Sequence, residues 1–284
     1  MINSNDKSLK IRKFKNRMVN TVAILSGILG LAALAWILLT VIQHGLRSFN
    51  FSFFTELPTP PGIAGGGMAN AILGTVLMTF MAAVISLPLG LLGGIYLSEF
   101  GRGTKFAESV RFMTNVLIGV PSIIVGVFVY VLIVVPTKQF SGFAGATSLA
   151  IIMLPIVVRT TEDILRLVPD SLRESGLALG AQRWRVTVDL IFREAKNGLM
   201  TGVLLAVARV SGETAPLLFT ALNSPYWLKG FNEPVANLTV NIFNYAMSPY
   251  RDWQQQAWGA SLLITLGVLT LTIVARVVLK QGKK

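Results

Sequence analysis

Apolar residues fall along this chain in six long blocks, each set off by short polar or basic stretches. The blocks cover about residues 19–42, 68–97, 112–135, 143–163, 199–222 and 258–279. Each is close to or beyond the roughly 20 residues a helix needs to cross a bilayer. None sustains the two-residue alternation of a half-buried strand, and the lengths suit helices. The pattern predicts an all-α, polytopic membrane protein with six transmembrane helices. Its expected organisation is a polar, basic tail at 1–18, a first transmembrane helix at 19–43, a loop at 44–68 and a helical core at 69–280. Pro58, Pro60, Pro61, Gly62 and Gly65 to Gly67 rule out a long helix in that loop, which reads as a connector or as a contact for an external partner.

Composition agrees. Hydrophobic residues make up 53% of the chain and charged ones 13%, against about 25% charged in soluble domains. The chain has no cysteine, so no disulfide framework or thiolate metal site is available. A single histidine, His44, excludes histidine clusters and a Ser-His-Asp triad; at the end of the first block it reads as an interfacial residue. That block is too long for the 7–15-residue core of a signal peptide, so a retained helix is expected.

The net charge of +12 raises the question of nucleic acid, and its distribution answers it. With both termini in the cytoplasm, six Lys/Arg lie in the tail, three between Arg102 and Arg111, six between Arg166 and Lys196, and four from Arg276 onward. Outside there remain only Arg47, Lys138, Lys229 and Arg251. This bias is the orientation signal of a membrane protein, so membrane lipid and no nucleic acid is the expected surrounding. Trp227, Trp253, Tyr226 and Tyr250 fall in the last external loop, as an interfacial belt or a short lid.

Two arginines break the apolar pattern from within. Arg209 sits mid-block in Ala-Arg-Val-Ser-Gly-Glu-Thr-Ala-Pro, residues 208–216. A central arginine costs about 2.5–3.5 kcal/mol even on the lenient insertion scale, so it must face protein, a carboxylate or water. Glu213, four residues on, is expected on the same helical face. Gly212 and Pro216 are expected to weaken or break the helix there. An intramembrane charge on an interrupted helix is a transport-site hypothesis. Arg159 lies one turn after Pro155, beside Thr160 and Thr161, with Asp163 four residues later.

The segment 166–196 is the longest cytoplasmic stretch between blocks. Pro169, Asp170 and Ser171 make a helix start, and Gly180 suits its end. Such a short amphipathic helix either docks a partner or lies on the membrane. Within it, Glu174-Ser175-Gly176-Leu177-Ala178-Leu179-Gly180 resembles the Glu-Ala-Ala-x-x-x-Gly loop of bacterial ABC-importer permeases, where that loop sits in a groove of the ATPase subunit. The Ile-x-Leu-Pro that usually closes the motif is replaced by Leu190-Ile191-Phe192-Arg193. Residues 119–126 (Gly-Val-Pro-Ser-Ile-Ile-Val-Gly), Arg159 to Glu162, and Ala208 to Thr220 resemble the phosphate-specific permeases of the PstA type. The resemblance covers about residues 69–280.

That resemblance implies a type I ABC importer permease fold in the bacterial plasma membrane. It implies three partners: an ATPase dimer, a second and different permease, and an external phosphate-binding protein. Phosphate sheds hydration on entering protein, and arginine donors replace it with charge-assisted bonds. The candidate path is then Arg209, Glu213, Arg159, Thr160, Thr161 and Thr214, with Glu174, Ser175, Gly176, Leu177, Ala178 and Gly180 coupling to the ATPase. Either each Arg–carboxylate pair is purely structural, or phosphate competes with the carboxylate for the arginine. Arg159 fits both, since it also lies where it could anchor the coupling segment. Thr214, before Pro216, would add donors as a half-helix start does. No Gly-x-x-x-x-Gly-Lys-Ser/Thr occurs, so this chain forms no P-loop, hydrolyses no ATP itself and needs no cofactor. A passive channel or ion-coupled carrier using the same arginines is the alternative, though it needs no docking helix. A membrane enzyme would have to draw on Glu213, Asp163 and Ser211, without metal ligands.

Overall fold

The computed structural model describes residues 5–280, and among them every regular element is helical. Helix α1, Asn5–Gly45, runs unbroken from the basic tail through the first apolar block. Its apolar stretch is unburied. Close contact comes at its end, where a Cβ on Gly45 would lie 2.6 Å from Leu262 and where His44 stacks on Trp258 at 5.0 Å. The histidine is thus an aromatic packing partner.

A short 3-10 turn, Leu46–Ser48, leads to α2, Phe51–Thr55, whose first turn is capped by Asn50 Oδ1 accepting from the Phe53 amide at 2.8 Å. The Pro/Gly-rich segment that follows is pinned: Trp253 Nε1 donates to the Thr59 carbonyl and Gln256 Nε2 to the Gly65 carbonyl.

Helix α3, Ala69–Ile95, continues as a π-helical turn, Tyr96–Phe100. Helix α4, Lys105–Gly119, is capped by Thr104. Val120 and Pro121 are extended, because proline fixes its own φ and pushes its predecessor out of the helical region. Helix α5, Ser122–Val129, then leaves at 100° to α4 and passes through a π turn into α6, Val135–Thr137. Helix α7, Gly142–Arg166, is the most buried span. After it come α8, Asp170–Ala178, α9, Arg183–Arg185, and a π turn, Val186–Ile191, that runs into α10, Phe192–Val210. The chain breaks at Ser211–Thr214 and resumes as α11, Ala215–Thr220, with Pro216 in its first turn. Helix α12, Leu238–Ala246, starts with an Asn237 cap, and α13, Arg251–Lys280, is the last.

Helices α3 and α7 form the central pair. Gly90 and Gly94 lie one turn apart on α3, and an added Cβ would lie 2.7 Å from Val157 or 2.4 Å from Thr161. Small residues at this spacing let backbones approach, which is how helices associate where lipid removes the hydrophobic drive between them. Around this pair Met78, Met153, Ala206 and Leu217 join four helices in one buried cluster.

Among the described residues four helices are long and apolar enough to cross a membrane: Ile11–Ser48, Ala69–Phe100, Gly142–Arg166 and Arg251–Val277. The bent pair Lys105–Gly119 and Ser122–Thr137 makes a fifth if it crosses as one. A sixth uninterrupted span at 199–222 is absent, because the Ser211–Thr214 break divides that block. The stretch between the last two apolar blocks also contains α12, which the sequence pattern did not reveal; Trp253 stacks on its Tyr245 at 4.3 Å, while Tyr226 and Trp227 stay exposed.

Candidate functional site

The two interrupted helices meet. A Cβ on Gly126 of α5 would lie 2.5 Å from the Cα of Pro216, so α5 and α11 touch backbone to backbone. Beside this contact lies a cavity of about 180 Å³. Pro121, Ser122 and Val125 of the α4–α5 bend line it, with Ile152 and Ile156 of α7 opposite. The charge on its wall is Arg209, in the last turn of α10. The other residues lining the cavity are apolar types apart from Ser122, and Arg209 itself is exposed.

The expected partnership of Arg209 with Glu213 is not formed. Helix α10 ends at Val210, and the Glu213 amide turns back onto the Val210 carbonyl at 3.1 Å. The four-residue spacing therefore no longer places the two side chains on one helical face. Among the described residues no ion pair involves Arg209 or Glu213. The break itself is well satisfied: Ser211 Oγ donates to the Ala208 carbonyl at 2.8 Å, and Thr239 Oγ1 to the Glu213 carbonyl at 2.7 Å. Thr214 occupies the cap position of α11, but its side chain makes no capping bond.

Arg159 does pair with its carboxylate, donating through Nε to Asp163 Oδ2 at 3.0 Å, and both remain well exposed. Ile152, Ile156 and Arg159 recur at four and three residues, so they share one face of α7. Arg159 thus continues the stripe that walls the Arg209 cavity, about one turn farther along. Thr160 and Thr161 do not lie on that stripe. Thr160 meets Gly202 of α10, and Thr161 is buried against Gly94 of α3. Their placement among neighbouring helices is packing, a consequence of a helical face turning 100° per residue.

The short helix expected between Pro169 and Gly180 forms as α8. Gly180 has φ +79°, and the Gly180 amide bonds to the Leu177 carbonyl while the Ala181 amide bonds to the Gly176 carbonyl. These paired bonds are a Schellman stop, which favours glycine at the left-handed position. Gly176 faces inward, where a Cβ would lie 2.8 Å from Leu190 and 2.9 Å from Val186. Glu174, Ser175, Leu177 and Ala178 face out. Leu179 is 89% exposed and Trp184 53% exposed.

Sequence reasoning missed what holds this segment. Arg102, Arg111, Arg166 and Arg173 counted there only as orientation signals. In the structure Arg173 grips the buried Glu99 with Nη2 at 2.8 Å and Nε at 3.0 Å, and also reaches Asp170. Glu162, 1% exposed, accepts a hydrogen bond from Arg111 Nε at 2.6 Å and forms an ion pair with Arg166 Nη2 at 2.7 Å. Outside the membrane, the hydrogen bond from Arg102 and then its charge hold the Asp170 carboxyl below its ordinary value. Glu99, bonded to Arg173, raises that guanidinium's pKa. A carboxylate at the end of an apolar block was the available signal, since it requires a partner.

The family profile for "Binding-protein-dependent transport system inner membrane component" matches residues 86–281. The chain belongs to that family of permeases. A "Phosphate transport system permease protein PstA" of Yersinia pestis is 46% identical over 283 residues, covering 100% of this chain and 96% of that protein. The protein of the same name from Haemophilus influenzae is 46% identical over 272 residues, 96% of each. PstA 1 of Mycobacterium tuberculosis is 36% identical over 273 residues, 94% of this chain and 89% of its own length. Among solved structures, an inward-facing MetNI methionine ABC transporter aligns with TM-score 0.65 at 18% identity, over 76% of this chain and 96% of the other. A bacterial ABC transporter for alginate import gives 0.69 at 12% identity, over 96% and 99%. The fold is that of ABC importer permeases. The chain is a multi-pass inner-membrane permease subunit, and a membrane component rather than an enzyme.

Proposed function

We propose that this permease conducts inorganic phosphate inward as one half of an ATP-driven importer. Arg209 meets the anion at the junction of the two broken helices. The observation that carries this reading is a guanidinium with no ion pair, lining a cavity otherwise walled mostly by apolar side chains. Discontinuous helices around such a site are the usual architecture of a transport path. Arg159, paired with Asp163 and one turn away on the same α7 face, is the next station. There the anion displaces a carboxylate that restores the arginine afterwards. A single free cation followed by a paired one gives binding strong enough to enter and weak enough to leave. Thr214, half-buried at the break, adds a hydroxyl. Thr160 and Thr161 set the spacing of α7 against its neighbours.

The names of the relatives, phosphate transport system permeases, support phosphate as the substrate. Energy arrives from a separate ATPase dimer that grips α8 through Glu174, Ser175, Leu177 and Ala178, with Gly180 ending the helix. A second, different permease completes the path, an external phosphate-binding protein delivers the substrate, and both termini face the cytoplasm.

The test is uptake of labelled phosphate by proteoliposomes holding the whole complex. A charge-assisted hydrogen bond contributes roughly 1.5–3 kcal/mol, so Arg209→Ala should slow uptake about ten- to a hundredfold, and Arg209→Lys less. Unchanged uptake with Arg209→Ala removes this residue from the mechanism. Uptake by this permease without ATPase points instead to a channel or carrier.

A further inference from the structure

The cytoplasmic end of α3 is held in an unusual way. Its last turn is π-helical, and three consecutive carbonyls there each accept from a different arginine. Leu97 takes Arg111 Nη2 at 2.9 Å, Ser98 takes Arg102 Nε at 2.6 Å, and Glu99 takes Arg183 Nη2. Arg111 comes from α4 and Arg183 from α9. The Glu99 side chain takes the fork of Arg173 from α8, with Ser98 Oγ on the same carboxylate at 2.9 Å. Arg173 also donates to the Leu165 carbonyl at the end of α7. One turn earlier on α7, Glu162 holds Arg111.

We infer that Glu99 and Arg173 are positioning residues for coupling: with the arginine-held π turn they form a joint that makes α8 and the inner ends of α3, α4 and α7 move as one block. This inference rests on the reading of α8 as the ATPase docking helix. A helix tied to the spans by backbone alone would swing on Leu167–Pro169 when pulled. Here the fork of Arg173 crosses that hinge and ends on a carboxylate of a different span. A buried ion pair is weak evidence for stability, and positioning is the better-attested use. Planarity matters, because a guanidinium can hold two carboxylate oxygens and a carbonyl at once, whereas an ammonium is a point charge. π turns inside helices often mark functional positions, and this one sits where the joint must be strongest.

The experiment compares phosphate transported per ATP hydrolysed in the full reconstituted complex, native and Arg173→Lys. The native complex is the control on the docking reading: if it does not retain the ATPase or transport phosphate on ATP, that reading fails, and the joint with it. If it does, Arg173→Lys should keep the ATPase bound and hydrolysing while the ratio falls by roughly two- to thirtyfold. Ser109→Ala, exposed on α4 and outside the docking helix, should leave the ratio alone. An assembled Arg173→Lys complex with the native ratio overturns the inference. A second measurement does not depend on that variant assembling. Spin labels at Ser171→Cys and Ser109→Cys, both exposed positions on α8 and α4 and neither in the ATPase contact, should keep one separation between nucleotide-free and ATP-trapped complexes. A separation that changes with nucleotide means the block is not rigid and refutes the joint.

Discussion

Removing Glu162 tests the ionic framework at its most buried point. Its side chain is 1% exposed and that of its partner Arg111 17%, at 2.6 Å. Glu162→Ala leaves the Arg111 guanidinium largely out of water without its carboxylate. Breaking a buried pair from one side costs roughly 3–5 kcal/mol, and about 1.4 kcal/mol is a factor of ten. The ratio of folded to unfolded protein should therefore fall by roughly two to three and a half decades. Arg166, whose side chain is 42% exposed, returns to solvent and adds little to the loss. Replacing both partners, Glu162→Ala with Arg111→Met, removes the stranded charge. It should cost less than the two single changes together, with a coupling of about 0.5–3 kcal/mol. Denaturant titration of the purified permease in detergent, followed by tryptophan fluorescence, reads all three variants. A single-variant loss under about 1 kcal/mol, or effects additive within about 0.5 kcal/mol, would refute the reasoning.

Further outcomes follow from the same contacts. Gly94→Ala places a Cβ 2.4 Å from that of Thr161 and 2.7 Å from the Val158 carbonyl; it should destabilise by about 1–3 kcal/mol, visible in the same titration. Gly180→Ala meets no atom within 4 Å, so its loss is purely that of the left-handed backbone, about 1–2 kcal/mol. Gly180→Asn should lose less, with hydrogen exchange of α8 as the readout. Asp170 titrates below its ordinary value of 3.8. Its contribution is fully present above that value and lost as pH falls through the lowered one. Exchange protection at the start of α8 should therefore be flat at neutral pH and decline only below about pH 4. Pro121→Ala restores an amide and frees φ at the α4–α5 bend; it should reduce phosphate uptake while leaving ATPase retention unchanged.

The helical blocks and the short helix α8 were legible because each rests on local rules. Apolar length sets the spans, and Pro169 and Gly180 mark the two ends of α8. The break at Ser211–Thr214 was legible from Gly212 and Pro216, but its consequence for Glu213 was not. Four-residue spacing has meaning only while the helix lasts, and here it stops at Val210. Thr160 and Thr161 show a related limit, since adjacent residues on a helix face different neighbours and sequence alone does not say which. The ionic framework was hidden for another reason. Arg102, Arg111 and Arg173 lie where orientation signals lie, and their carboxylate partners are 51 to 74 residues away in sequence. Long-range pairing of this kind leaves no periodic trace.

Because the chain contains no cysteine, a single thiol placed on the Arg209 cavity reports on it without background from this subunit. Ser122→Cys lines the same cavity and can be labelled with a small water-soluble thiol reagent in the assembled complex during turnover. Phosphate should slow labelling when Arg209 is intact and have no effect when Arg209→Ala is added. Labelling indifferent to phosphate in the presence of Arg209, or a thiol sealed from the reagent in every state of the cycle, would contradict a path past this arginine.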